Sequence, residues 1–386
     1  MKRTIEEINE KIRKGRAVIL TAEEMVALVK ERGIKAASQK VDVVTTATFG
    51  PMCSSGVFLN FGHSDPPMKL QKVYLNGVMA YGGIAAVDVY LGATEPSLNQ
   101  GYNYGGAQVI EDLIKGKRIH LKATALPTDC YPRSEIDTFV TLEKINQAIM
   151  VNPRNVYQNY AVAVNTSEKV LYTYMGTLLP RLGNANYSTS GQLSPLLKDP
   201  EYRTIGIGTR IFLGGTIGYV AWEGTQHNPQ VPRDKKTKIP YTPAATLCLI
   251  GDLKQMNRNF LRAATFYNYG PTLYVGVGIP IPILDEDLAR STGVGDEEIY
   301  ATVFDYGVGR RSRPQLGKVT YAELRSGRIK IGGKIVPTAP LSSYTRAREI
   351  AATLKEWIKE KKFYLTGSLQ ALPKDRVFRP LVEDWD

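Results

Sequence analysis

The sequence predicts an α/β or α+β protein: mixed sheets of short strands with interspersed helices, an N-terminal helical pair and a C-terminal amphipathic helix. Three observations carry this prediction. Two capping boxes with apolar faces of helical period open the chain, β-branched and aromatic runs broken by glycine take over from residue 41, and an apolar stripe of helical period returns near the end.

Thr4-Ile5-Glu6-Glu7 sets a hydroxyl three residues before a glutamate, and Ile5, Ile8 and Ile12 then share one face up to Gly15. Thr21-Ala22-Glu23-Glu24 repeats the signature, with Met25, Leu28 and Val29 as the buried face and Gly33 as the stop, so residues 1–35 read as helical. Strands are expected over 41–49, 85–91 and 118–125. Between the last two, Ala107, Ile110 and Leu113 or Ile114 fall at helical spacing before Gly116, which suggests a strand, helix, strand order. Residues 160–164 and 169–175 flank the polar turn 165–168 and read as a hairpin; 210–213 and 219–223 flank a glycine-rich turn and read as another. Ala347, Ile350, Ala351, Leu354, Trp357 and Ile358 form the closing helix. No linker or low-complexity segment divides the chain, which is read as one domain over 1–386.

The 386 residues are 43% apolar, enough for a sizeable core. A formal charge of +12 and a pI near 9.4 favour an acidic partner. The basic clusters at 310–313, 235–238 and 359–362 lack the aromatic interleaving of a nucleic-acid module, so they read as solvated surface and no nucleic-acid partner is expected. No run approaches the ~18 apolar residues of a membrane span, and no cleavable leader pattern opens the chain, so a cytoplasmic protein without a membrane partner is expected. Nothing in the composition opposes a homo-oligomer. Cys53, Cys130 and Cys248 form no CxxC pair, and His63, His120 and His227 have no zinc-ligand spacing, so no metal or cluster is expected within the chain. Gly206-Ile207-Gly208 lacks the third glycine of a dinucleotide fingerprint, and turns and close packing explain the glycine clusters better.

The candidates for chemistry are loop thiols. Cys53 lies in Thr48-Phe49-Gly50-Pro51-Met52-Cys53-Ser54-Ser55-Gly56, after a predicted strand and among small residues that let backbone amides approach a thiolate. Cys130 follows another predicted strand, between Pro127 and Pro132, with Arg133 near enough to favour the thiolate and Asp129 opposing it. Either could equally be a small buried hydrophobe. Cys248, in an apolar run, reads as a buried strand residue. His63 and His227 sit in polar turns as candidate acids, bases or surface imidazoles, whereas His120 alternates within a strand and reads as structural. Arg133 and Arg210 are candidate partners for a substrate carboxylate.

The succession 3–9, 48–56, 105–113 and 128–133, continuing through Gly208-Thr209-Arg210-Ile211-Phe212-Leu213-Gly214-Gly215 and Val277-Gly278-Ile279-Pro280-Ile281-Pro282, resembles the homocysteine biosynthesis family over nearly the whole chain. The resemblance implies an L-aspartate semialdehyde sulfurtransferase that forms L-homocysteine. It implies two functional cysteines matching Cys53 and Cys130, which are expected at one cleft. Many members carry a following pair of CBS domains, which are not expected within residues 1–386, and some work beside a ferredoxin-type protein. Sulfur delivery to an aldehyde suits a cysteine thiol or persulfide fed by a sulfide or persulfide donor. The reaction also needs an external reductant; a ferredoxin-type donor is expected to dock near Arg310, Arg311 and Arg313. A persulfide carrier or scaffold without aldehyde chemistry is the alternative.

Overall fold

The computed structural model describes residues 3–383 and is a mixed α/β fold of two main sheets. The larger has sixteen strands, running from Ile19–Thr21 and Val43–Pro51 through Gly270–Pro282 and Gln147–Asn155 to Gly56–Asn60, Asp88–Gly92 and an edge at Ile119–Thr124 and Glu135–Val140. The smaller has six, with Tyr300–Asp305, Val162–Val164 and Ala185–Tyr187 inside it. Among the described residues no helix is long and apolar enough to cross a membrane.

Both N-terminal capping boxes form. Thr4 and Thr21 accept from Glu7 N and Glu24 N (3.2 and 3.3 Å) while the two glutamates accept from the cap amides, opening helices Ile5–Arg13 and Ala22–Lys40. Gly33 interrupts the second helix where the stop is expected, but further helix follows directly. At φ +78° and ψ 164° its backbone is not helical, a conformation glycine tolerates, and the chain kinks there before a second helical stretch runs to Lys40.

Helix Tyr344–Lys359 buries the expected stripe across strands Val43–Pro51 and Gly270–Pro282. The close approach is made by Gly276 and Gly278, where an added Cβ would lie 2.8 and 3.0 Å from the Ile350 side chain. The second predicted hairpin forms, with Gly214 and Gly215 (φ +61° and +97°) as its two-residue turn. The first does not. Val162–Val164 instead pairs with Ala185–Tyr187 and Tyr300–Asp305, and Leu171–Thr173 pairs with Gly176–Leu178. The buried Asn165 side chain bonds Lys169 O and Leu178 O (2.8 and 3.2 Å), so the polar stretch tethers two separate ribbons. The expected strands and helix form at Asp88–Gly92, Gly106–Ile114 and Ile119–Thr124, but the short strands Pro96–Ser97 and Gly101–Gly105 precede the helix, and Val78–Tyr81 and Lys72–Leu75 lie between the two outer strands in the sheet.

Helix Glu286–Thr292 is capped by Asp285, which accepts from Leu288 N (3.0 Å) and pairs with Arg203 (2.5 Å). The Arg203 hydrogen bond, against opposing burial, lowers its carboxyl from an ordinary 3.8 to about 2. A depressed carboxyl contributes stability above its unfolded value that is lost as pH falls through the folded one. Asp285→Asn, which keeps the cap, is expected to cost about 1–2 kcal/mol at pH 7 after discounting for partial exposure, and almost nothing near pH 2. Urea unfolding at both pH values checks this; a wild-type advantage unchanged by acid would remove the ion pair as its cause.

Candidate active site

Strand Val43–Pro51 runs out at Pro51, and residues 52–55 turn back on themselves as Ser55 N and Oγ bond Met52 O (3.1 and 2.8 Å). The buried Asn152 clamps this turn from the strand Gln147–Asn155, donating to Ser55 Oγ (2.8 Å) and accepting from Ser54 Oγ (3.1 Å). Gly56 then lets the chain enter the next strand: a Cβ there would lie 2.2 Å from Tyr90 Oη and 2.8 Å from Leu91 O. The small residues around Cys53 are therefore packing requirements. They hold the half-buried Cys53, with Sγ 3.5 Å from Thr272 Oγ1, at the wall of a cavity of about 540 Å³.

The cavity lies where the two sheets meet. Cys53, Arg154 and Tyr157 come from strand ends of the larger sheet, Tyr160 and Tyr306 from the smaller, and Tyr174 from the hairpin between them. Three arginines line it, Arg154, Arg311 and Arg313, and among the described residues no Asp, Glu or Lys does. The Arg313 guanidinium carbon lies 4.0 Å from the centre of the Tyr306 ring, and Arg154 Nε donates to Thr225 Oγ1 (3.0 Å). Arg313 Nε is buried without a hydrogen-bond partner. Burial holds the phenols neutral: it raises Tyr157, takes Tyr269 up to about 12, and strongly raises Tyr160 and Tyr306, with neighbouring tyrosines adding to the last two. Neutral phenols can donate hydrogen bonds across a wide pH range.

The other sequence candidates lie elsewhere. Cys130 is exposed in the turn Thr128 to Tyr131, closed by reciprocal backbone bonds of 3.0 Å. Tyr131 stacks on His63 (6.1 Å), which lies beyond the Asn60 end of strand Gly56–Asn60, whereas Cys53 precedes its Gly56 end. The cysteines thus sit off opposite ends of one strand, and the cleft expected to hold both holds Cys53 alone. The reason is topological: the strand leading to Cys130 lies four strands across the sheet from Gly56–Asn60. His63 is exposed, and Arg133 donates Nε–H to Glu135 O (2.7 Å). Arg210 reaches Tyr364 O (3.5 Å) under the C-terminal segment. His227 is buried between Thr246 O and Pro373 O (3.1 and 2.9 Å), a packing role, although its neighbours Gln226 and Asn228 line the cavity. Cys248 is half-buried, not buried, because it faces away from Leu247 and Leu249 on its strand; burial still raises its thiol. Arg311 and Arg313, expected on a docking face, line the cavity, while Arg310 is exposed outside it. Among the described residues no group of His, Cys, Asp or Glu is placed to hold a metal ion.

A cavity whose charged lining is wholly cationic, with one thiol in its wall, has the chemistry to take a small anionic ligand. The chain belongs to the homocysteine biosynthesis enzyme, sulfur-incorporation family, whose model matches residues 17–365. It is 55% identical over 385 residues to a Methanocaldococcus jannaschii protein named L-aspartate semialdehyde sulfurtransferase, covering 96% of this chain and 73% of the relative. A Methanosarcina acetivorans protein of the same name is 52% identical, covering 97% of this chain and 73% of the relative. A Methanothermobacter thermautotrophicus protein without assigned function is 29% identical over 85% of this chain and 73% of its own length. No solved structure matches the chain.

Proposed function

We propose that this chain is a sulfurtransferase that inserts sulfur into L-aspartate semialdehyde to give L-homocysteine, with Cys53 as its sulfur-handling thiol. The observation that carries the reading is the placement of Cys53 in the wall of a cavity whose charged lining is wholly cationic. Relatives above 50% identity bearing the sulfurtransferase name supply the substrate. The cavity of about 540 Å³ favours small-molecule chemistry over the carrier alternative.

On this reading a donor persulfide passes its outer sulfur to the Cys53 thiolate and leaves as a thiolate. The Cys53 persulfide then adds to the aldehyde carbon, and the developing alkoxide accepts hydrogen bonds from the neutral phenols lining the cavity. Two electrons cleave the S–S bond, freeing Cys53 and a thiohemiacetal. Loss of water gives a thioaldehyde, and two more electrons with two protons give the thiol. If free sulfide adds directly, only the last pair of electrons is needed. Both come from an external reductant, for which we retain a ferredoxin-type donor. Because Cys53 and Cys130 are apart within the chain, a direct disulfide between them is not part of the scheme, and the exposed Cys130 suits exchange with an outside sulfur or electron donor.

The test is anaerobic turnover of L-aspartate semialdehyde with sulfide or a persulfide donor and a reductant, scored for homocysteine by mass spectrometry. Homocysteine formed in proportion to enzyme is the expected result. Labelling of Cys53 with sulfane sulfur but no homocysteine under any donor would leave the carrier reading in its place.

A further inference from the structure

The cavity presents a one-sided charge problem. L-Aspartate semialdehyde carries a carboxylate and an ammonium, yet the charged groups facing the cavity are Arg154, Arg311 and Arg313, without an acidic counterpart among the described residues. Arg313 is the most prepared of the three. Its guanidinium carbon lies 4.0 Å from the centre of the Tyr306 ring, which helps hold it in place, and its buried Nε has a donor left unused. An unpaired buried donor costs free energy that a ligand acceptor recovers, and a planar guanidinium offers a carboxylate two parallel bonds. Arg311 stands two residues away on the same loop, 5.6 Å over the Phe378 ring. Apart from the Cys53 sulfur, an ammonium finds only neutral hydroxyls, amides and ring faces.

We propose that Arg313, assisted by Arg311, binds the substrate carboxylate, and that the site selects aldehydes by that carboxylate without requiring the α-amino group. The proposal rests on reading the cavity as the site of sulfur insertion, and it extends the substrate class to short ω-aldehyde carboxylates. With 4-oxobutanoate, which lacks the amino group, the same steps balance in the same way: the aldehyde oxygen leaves as water, the external reductant supplies the electrons, and the product is 4-sulfanylbutanoate.

Two measurements test it. In the first, wild-type protein is given L-aspartate semialdehyde, 4-oxobutanoate or 3-aminopropanal, which lacks the carboxylate. We expect kcat/KM for 4-oxobutanoate within about 30-fold of that for L-aspartate semialdehyde, and for 3-aminopropanal lower by about 1,000-fold or more, since an emptied charged site rejects the analogue that leaves it unpaired. In Arg313→Gln the two carboxylates fall by about 100-fold, mainly through KM, while 3-aminopropanal is nearly unchanged. Equal use of 3-aminopropanal and 4-oxobutanoate by the wild type would overturn the proposal.

The second measurement needs no turnover, so it separates this proposal from the sulfurtransferase reading. Alkylation of Cys53 by iodoacetamide is followed by mass spectrometry across a succinate titration, with the exposed Cys130 as the internal control. Succinate is expected to slow alkylation of Cys53 but not of Cys130. At least tenfold more succinate should be needed in Arg313→Gln, and also in Arg311→Gln, a second variant at an exposed position that should not disturb folding. Protection equal in wild type and both variants would overturn the arginine assignment even if homocysteine forms. Protection lost in the variants would sustain it even if homocysteine does not form.

Discussion

Cys53→Ser is expected to lower the rate of homocysteine formation by about 1,000-fold or more while leaving the protein folded. A serine hydroxyl ionises far less readily than a thiol and cannot carry a persulfide, so both the capture and the delivery of sulfur are lost together. The turn around it is held by Ser54, Ser55 and Asn152 and not by the thiol. An oxygen in place of Sγ can still face Thr272 Oγ1, now 3.5 Å from the sulfur. Single-turnover assays with a persulfide donor, beside circular dichroism and urea unfolding, check both halves. Turnover within tenfold of wild type would mean that sulfur reaches the aldehyde without passing through Cys53.

Gly106→Ala is expected to have the largest effect on stability, lowering it by about 3 kcal/mol or more. Helix propensity argues the other way, since alanine in a helix is worth about 1 kcal/mol over glycine. Sterics decide it. An added Cβ would lie 1.8 Å from Gly92 O and 2.8 Å from Gly92 C, both backbone atoms of a sheet strand that cannot swing aside as a side chain would. The helix Gly106–Ile114 is docked there by Gly106 N to Glu95 O and Ala107 N to Ala93 O (2.9 and 2.8 Å). Gly92 also pairs with Gly56, the residue that carries the chain out of the Cys53 turn. The strain should therefore reach the active site. Urea unfolding gives the measurement; a midpoint unchanged or raised would show that the helix start can lift off the strand without loss.

The thiol pocket was half legible in advance. Cys53 stood out because glycine, serine and proline surround it after a β-branched run, and those residues build the tight turn that exposes the sulfur to the cavity. The arginines and tyrosines opposite it carried no local signal. Arg154 lies near the end of one strand, Tyr160 precedes another, and Arg311 and Arg313 lie in a basic cluster that reads as solvated surface. One global hint was available: 22 tyrosines against 10 phenylalanines, an excess of aromatic rings with a polar handle that suits a lined cavity better than a dry core. His227 misled for the opposite reason. Its polar turn promised exposure, yet its ring is buried, with Nδ1 against the Thr246 backbone and Nε2 against Pro373 O beneath the C-terminal segment.

The sequence by itself determined what depends on neighbours in the chain. The capping boxes at Thr4 and Thr21, the Gly214-Gly215 hairpin and the stripe from Ala347 to Ile358 follow from local hydrogen bonding and the periods of helix and strand. The order of motifs, a record of the whole chain, determined the family. Only the tertiary structure decided which strands pair, as when Val162–Val164 joins Tyr300–Asp305 in place of its sequence neighbour. It alone decided that Cys53 shares a cavity with three arginines while Cys130 lies beyond the far end of strand Gly56–Asn60. Strand pairing between distant segments is chosen by which faces can be buried together, and no window of sequence contains both faces; the cavity, made where two such sheets meet, inherits that non-locality.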